Sequence, residues 1–207
     1  MDFDDPVATA LRVALLLEKA EIPYGLYGGL AVAAFGVPRE TRDADIAVIS
    51  AAVTRLVEML SGDGVLATAA FDRVPFGGLV VSRVALLPGG DDTGLNTVDL
   101  VEPASSRYAA LAIGRVLRAP LRDRKIAILT PEDVVIFKML STRERDLEDA
   151  AAILRELGDD VDVASIDSEL ALLTAELPAH DTGERWARCR GSARQVPPEP
   201  GNGALHR

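Results

Sequence analysis

The sequence predicts an α+β fold, a core of mixed helices and strands followed by a helical C-terminal part. Three observations point there. Helix-period and strand-length apolar runs are interleaved over roughly the first 125 residues, the pattern becomes helical after Leu129, and Gln195 to Arg207 is rich in proline and glycine. The expected organisation is an α+β core over 1–129, a helical subdomain over 130–194 and a disordered tail over 195–207.

In chain order, Val7 to Lys19 is apolar at helical spacing, with Ala8, Leu11, Ala14 and Leu15 on one side, and reads as a first helix. Glu21-Ile22-Pro23 ends it, because the residue before a proline is pushed out of helical geometry. Tyr24 to Tyr27 reads as a short strand, Gly28-Gly29 as a turn, and Leu30 to Phe35 as a short helix ending at Gly36. A strand follows over Asp45–Ile49, then a helix over Ala51–Leu60 closed by Ser61-Gly62. Val65–Phe71, Gly78–Leu87 and Asn96–Val101 read as strands, with a loop signal at Pro88-Gly89-Gly90-Asp91-Asp92. Thr130-Pro131-Glu132-Asp133 supplies an N-cap, a proline at the first helical position and acids in the first turn. Helices are expected from there to about residue 192.

Composition narrows the function classes. Of 207 residues 48% are hydrophobic, enough for a core, and no apolar run approaches the ~20 residues that cross a bilayer. The start, MDFDDP, is acidic where a secretory signal would be basic, and the single Cys189 allows no intramolecular disulfide; both favour a cytoplasmic protein without a membrane partner. Nothing near Cys189 marks it as a nucleophile, and His180 and His206 receive no role. A net charge of −10 argues against a broad footprint on duplex nucleic acid. Two local basic clusters, Arg115 to Lys125 and Arg185 to Arg194, read as well as solvated surface as they do as grooves for a nucleic-acid backbone.

The chemistry concentrates between Tyr24 and Ile49. Asp43 and Asp45, two apart at the mouth of a strand, point to the same face because strand side chains alternate. Paired carboxylates suit hard cations such as Mg²⁺, which take one or two carboxylates and complete their shell with phosphate oxygens and water. Two such ions clamp the attacking and leaving oxygens of an in-line displacement. Taken alone, Asp-x-Asp reads as readily as a solvated loop-to-strand junction. The context changes this: Gly28-Gly29 opens a helix upstream and exposes backbone amides that favour phosphate.

That order, strand, Gly-Gly, short helix, Gly36, Arg-Glu-Thr-Arg and then Asp-x-Asp, resembles the signature of polymerase-β-like nucleotidyltransferases. The segment GGLAVAAFGVPRETRDADIAV is similar, more narrowly, to the AbiEii/MenT-type toxins of toxin–antitoxin pairs, and the resemblance spans about Tyr24 to Leu154. It implies a mixed sheet flanked by helices. It also implies a metal-dependent enzyme moving a nucleoside monophosphate from a nucleoside triphosphate (NTP) to a hydroxyl, with two Mg²⁺ ions (or Mn²⁺) and release of pyrophosphate. The acceptor it implies is the 3′ end of a tRNA, and the partner a cognate antitoxin. Metal ligands would be Asp43, Asp45 and Asp99; the triphosphate would meet Gly28, Gly29, Arg42 and Lys138.

Three further positions follow. Asp99 lies in an apolar strand-like run, where an unpaired charge is costly, so it either meets a cation or sits on an edge facing water. By resemblance it is the third ligand or the base that activates the acceptor. Lys138 stands in the apolar run 134–140 and is one of three lysines against nineteen arginines. It suits a point-charge contact to phosphate, or is a lysine snorkelling from a packed helix. Asp146 and Asp149 share a helix face. They read either as helix-start acids paired with Arg143 or Arg145, or, by resemblance, with Asp146 steering Lys138 or the base. Thr41, two before Asp43, is where the resemblance places a regulatory phosphorylation, which would bring about −2 charge into the nucleotide site. Two other functions remain open: an inactive fold-mate serving as a binding or antitoxin-like partner, and an enzyme that nucleotidylates a protein or small molecule.

Overall fold

The computed structural model describes residues 5–87 and 96–194. The expected loop at Pro88–Asp92 and tail at 195–207 lie outside the described residues. Among the described residues sixteen short elements follow one another, beginning with α1 (Pro6–Lys19), whose first turn is fixed by its cap. The Asp5 carboxylate accepts from the amides of Val7 (3.0 Å) and Ala8 (3.1 Å), with Pro6 at the first helical position. Such a cap contributes about 1 kcal/mol. Its buried side, Ala10, Val13, Ala14 and Leu17, covers the sheet.

The strands are β1 (Tyr24–Tyr27), β2 (Ala44–Val48), β3 (Leu66–Phe76), β4 (Leu79–Leu87), β5 (Asn96–Pro103), β6 (Leu117–Leu121) and β7 (Arg124–Ile128). They form one mixed sheet in the order β3-β4-β5-β2-β1-β7-β6. The pairs β2/β5 and β1/β7 are parallel; β1/β2, β3/β4, β4/β5 and β6/β7 are antiparallel. The α+β expectation therefore holds. The central strands are closed to water on both sides, and Ile46, Val98, Leu100, Ile126 and Ile128 lie in the core.

Between the strands run α2 (Gly28–Ala34), α3 (Val53–Gly62) and α4 (Ser106–Gly114); after them come α5 (Pro131–Leu140), α6 (Glu144–Leu157), a single 3₁₀ turn (Gly158–Asp160), α7 (Val163–Glu176) and α8 (Thr182–Arg194). Helix α5 starts as its sequence signal predicts: the Thr130 hydroxyl accepts from the Asp133 amide (3.2 Å). It is buried on every side, from Val134 to Leu140, which is why its sequence is apolar all round rather than striped.

Several expected boundaries shift, α3 by two residues at each end and β5 by two at its end, and two further shifts have a clear physical cause. Helix α2 begins at Gly28 itself rather than after a separate turn, and Gly28 takes φ +65°. Strand β3 runs on to Phe76 through two irregularities in its pairing with β4, at Ala69/Phe71 and Phe71/Val74. It is an edge strand, which is why it tolerates Pro75.

Candidate active site

Strand register assembles the carboxylates. Asp45 on β2 pairs across the antiparallel β1 ladder with Tyr27 and across the parallel β5 ladder with Asp99. Asp43 lies in the bend just before β2, its Oδ1 accepting from the Thr97 hydroxyl at 2.7 Å. Because β5 is flanked by β4 and β2, Asp99 is an interior residue and the edge-facing alternative is excluded. All three aspartates line one cleft of about 810 Å³. Gly28, Gly29, Thr41 and Arg42 form one wall of it; Lys138 and Asp146 come from the helical side. Nine of the positions singled out in the sequence, Gly28, Gly29, Thr41, Arg42, Asp43, Asp45, Asp99, Lys138 and Asp146, thus border the same cavity, and Asp149 lies behind it.

The turn fits around the carboxylates by close approach. An ideal Cβ on Gly28 would fall 1.8 Å from Asp45 Oδ2, and one on Gly29 would fall 2.7 Å from Thr41 Cβ. The missing side chains are what let the start of α2 and the Thr41–Asp45 segment touch.

Crowding of negative charge marks the site. Burial, then the neighbouring Asp99 carboxylate, pushes the Asp45 carboxyl up to about 7, with Asp43 adding and the Lys138 charge opposing. The Tyr27 hydroxyl is also raised, chiefly by burial. A side chain not singled out in the sequence supplies part of the compensating charge. Arg83 on β4, directly opposite Asp99, grips it with both prongs, Nε to Oδ1 at 2.6 Å and Nη2 to Oδ2 at 2.8 Å. The same Nη2 is 3.6 Å from Asp43 Oδ2. Its signal was available: an arginine inside the apolar strand 79–87 is as anomalous as Asp99 in its own strand.

Among the described residues, no group of three or more His, Cys, Asp or Glu side chains is arranged to hold a metal ion by itself. The donors nevertheless fit Mg²⁺. They are hard oxygens, they already draw a cation to Asp43 and Asp99, and Mg²⁺ takes only one or two carboxylates when phosphate completes its shell.

Lys138 is not a free prong. Its ammonium is buried, 2.5 Å from Asp146 Oδ1 and 2.8 Å from Asp149 Oδ2, with the Tyr27 ring 5.5 Å away. Asp149 also holds Arg39 Nε at 3.1 Å. Snorkelling is thus excluded, and Asp146 and Asp149 face Lys138 rather than Arg143 or Arg145. Arg143 instead stacks on Phe76, 5.1 Å from the ring centre, and with the exposed Arg145 borders the cleft.

The basic clusters are largely neutralised. Arg115 binds Asp133, Arg118 binds Glu18, Arg122 binds Asp5, Arg188 binds Glu144 and Arg190 binds Asp167. Arg185 is buried and donates to the backbone carbonyls of Met139 and Arg143.

No protein-family model matches this sequence, and no curated protein matches it. Solved structures match it in fold. An antigenic nucleotidyltransferase-like protein from Paracoccidioides brasiliensis superposes with a TM-score of 0.51 at 18% identity, over 89% of this chain and 93% of that one. A nucleotidyltransferase candidate from H. pylori gives 0.52 at 15%, over 93% and 94%. The antibiotic-resistance factor ANT(2'')-Ia gives 0.51 at 16%, over 84% and 97%. At such identities the likeness is one of fold, an α+β fold shared with these nucleotidyltransferase-like structures.

Proposed function

We propose that this chain is a metal-dependent nucleotidyltransferase that moves a nucleoside monophosphate from an NTP to an acceptor hydroxyl and releases pyrophosphate. The observation that carries the reading is the in-register pair Asp45–Asp99, with Asp43 beside it, opposite a glycine pair in one cleft. A binding surface has no need of three acids gathered in one cleft, one of them buried and pushed up to about 7 by that burial and then by its neighbour Asp99.

Asp43 and Asp45, with Asp99 adjoining, would hold Mg²⁺ or Mn²⁺, which when bound supplies charge neutralisation on the phosphates. The amides of Gly28 and Gly29 and the Arg42 guanidinium bind the triphosphate, with Arg143 and Arg145 adding positive charge at the cleft lip. Lys138, fixed by Asp146 and Asp149, holds a positive charge against the carboxylates from below. The acceptor oxygen attacks the α-phosphorus as the bond to pyrophosphate breaks, and Asp99 takes the acceptor's proton. Catalysis here is positioning and charge compensation. Thr41 lies against Gly29 and donates to the Asp43 carbonyl at 3.1 Å, which supports the proposed regulation, in which a phosphate on its hydroxyl would block the triphosphate.

The motif resemblance supports a cytoplasmic AbiEii/MenT-type toxin acting on the tRNA 3′ end and restrained by a cognate antitoxin. The second reading, a small-molecule acceptor, is favoured by the ion-paired arginine clusters, which leave little free positive charge for an RNA backbone. It also agrees with the shared fold of ANT(2'')-Ia, an antibiotic-resistance factor. Incubation of the purified protein with Mg²⁺ or Mn²⁺, each labelled NTP, and total tRNA, hydroxyl-bearing antibiotics or a protein mixture separates the acceptors. Label transfer that Asp43→Asn and Asp45→Asn abolish is the expected result. No transfer by the wild type with any metal and acceptor overturns the enzyme reading and leaves a binding or antitoxin-like module.

A further inference from the structure

Arg83 is the strongest feature of the site that the mechanism above does not use. Both oxygens of Asp99 are occupied by its guanidinium, and one of its nitrogens also leans toward Asp43. The guanidinium therefore touches two of the three carboxylates that a divalent ion would need.

The two partners differ in freedom. The Asp99 side chain is 3% exposed and fixed on a strand hydrogen-bonded on both sides, whereas the Arg83 side chain is 29% exposed. It rests on the Phe71 ring of the edge strand β3, 5.7 Å from the ring centre. When a second cation competes for Asp99, the arginine is the partner with somewhere to go. Arginine suits this role, since its planar fork satisfies both oxygens of a carboxylate at once and it stays charged at every relevant pH.

Resting on the nucleotidyl-transfer reading, we propose that Arg83 is a built-in counter-ion that competes with the divalent cation for Asp99 and Asp43. It holds the carboxylates together in the cation-poor protein and must be displaced from them for metal to bind. Free metal consequently binds weakly, and the site fills when nucleotide phosphates contribute further ligands. Arg83 is thus a positioning residue, and its effect reads out in metal affinity rather than only in rate.

The test is titration with Mn²⁺ at pH 8, without nucleotide, following free Mn²⁺ by electron paramagnetic resonance. Replacing one unit of positive charge a few ångströms from the ligands should tighten binding of Arg83→Gln about 10-fold or more relative to wild type. Arg83→Lys, which keeps the charge but only one prong, should fall between the two. Asp45→Asn in the Arg83→Gln background should remove the gain. In the wild type, Mg²⁺ with a non-hydrolysable NTP should shift the Arg83 side-chain Nε–H resonance toward that of a solvated arginine, a readout independent of whether any variant folds. Unchanged or weaker Mn²⁺ binding by a cooperatively melting Arg83→Gln, or an unmoved Nε–H signal on saturation with metal and nucleotide, overturns the inference. If the wild type still transfers nucleotide in those cases, only the role of Arg83 falls. If neither wild type nor variants bind metal with or without NTP, the nucleotidyl-transfer reading falls with it.

Discussion

The Asp45 carboxylate occupies the space in which a side chain on Gly28 would have to lie: an ideal Cβ there would be 1.8 Å from Oδ2 and 2.7 Å from the Asp45 Cβ. The glycine is required twice over, because its φ of +65° also disfavours any residue with a Cβ.

Gly28→Ala is therefore expected to push Asp45 out of line with Asp99 and to reduce nucleotidyl transfer by about 100-fold or more, the scale of misplacing a reacting group by an ångström. Gly29→Ala should be milder. Its new Cβ, 2.7 Å from Thr41 Cβ, displaces Thr41 rather than a carboxylate, and Gly29 has no positive φ. Steady-state rates and thermal melts of the two variants check the order.

Lys138→Met should cost about 3–5 kcal/mol of stability in urea unfolding, because it leaves Asp146 and Asp149 buried and facing each other without their shared cation. Asp146→Asn should cost less, since Asp149 still pairs with both Lys138 and Arg39. The double variant should lose less than the two single losses combined, with a coupling on the order of 1–3 kcal/mol.

A separate buried network joins α4 to α5. The fully buried Asp133 carboxylate accepts from Tyr108 Oη (2.8 Å), Arg115 Nε (2.8 Å) and Nη2 (2.6 Å), and Thr130 Oγ1 (3.0 Å). Asp133→Ala should destabilise by about 3–5 kcal/mol and Tyr108→Phe by about 1 kcal/mol. Both should leave the metal-binding affinity of the folded protein unchanged, as measured by Mn²⁺ titration.

Cys189 is buried, and that burial pushes its thiol from its ordinary value of 9.0 up to about 12. Iodoacetamide at pH 8 should leave the folded protein unmodified and label it on unfolding. The folded state keeps the proton that the unfolded chain loses above about 9. This group's contribution to stability is thus constant below pH 9 and lost between 9 and 12. Cys189→Ala should show a shallower decline over that window.

Much of the site was legible in the chain because its motifs are local. The spacing of Asp43 and Asp45, the glycine pair, and the charges Asp99 and Lys138 inside apolar runs each break a local pattern, and all border the cleft. Elements with weaker patterns were not legible. The β6–β7 hairpin ends the sheet with mostly exposed residues on β6, so no alternation marks it. Helix α4 is only nine residues long.

The sequence by itself determined the α+β class, the cap that starts α5 and the residue types of a phosphate- and metal-handling cleft, since these depend on neighbours a few positions apart. Only the tertiary structure decided the partners. Asp99 meets Arg83 because strand register sets position 83 opposite 99, and Lys138 meets two aspartates because α5 packs on α6. The arginine clusters close onto acids distant in sequence. Long-range pairing fixes which charges remain free, and a linear pattern of charges carries no record of it.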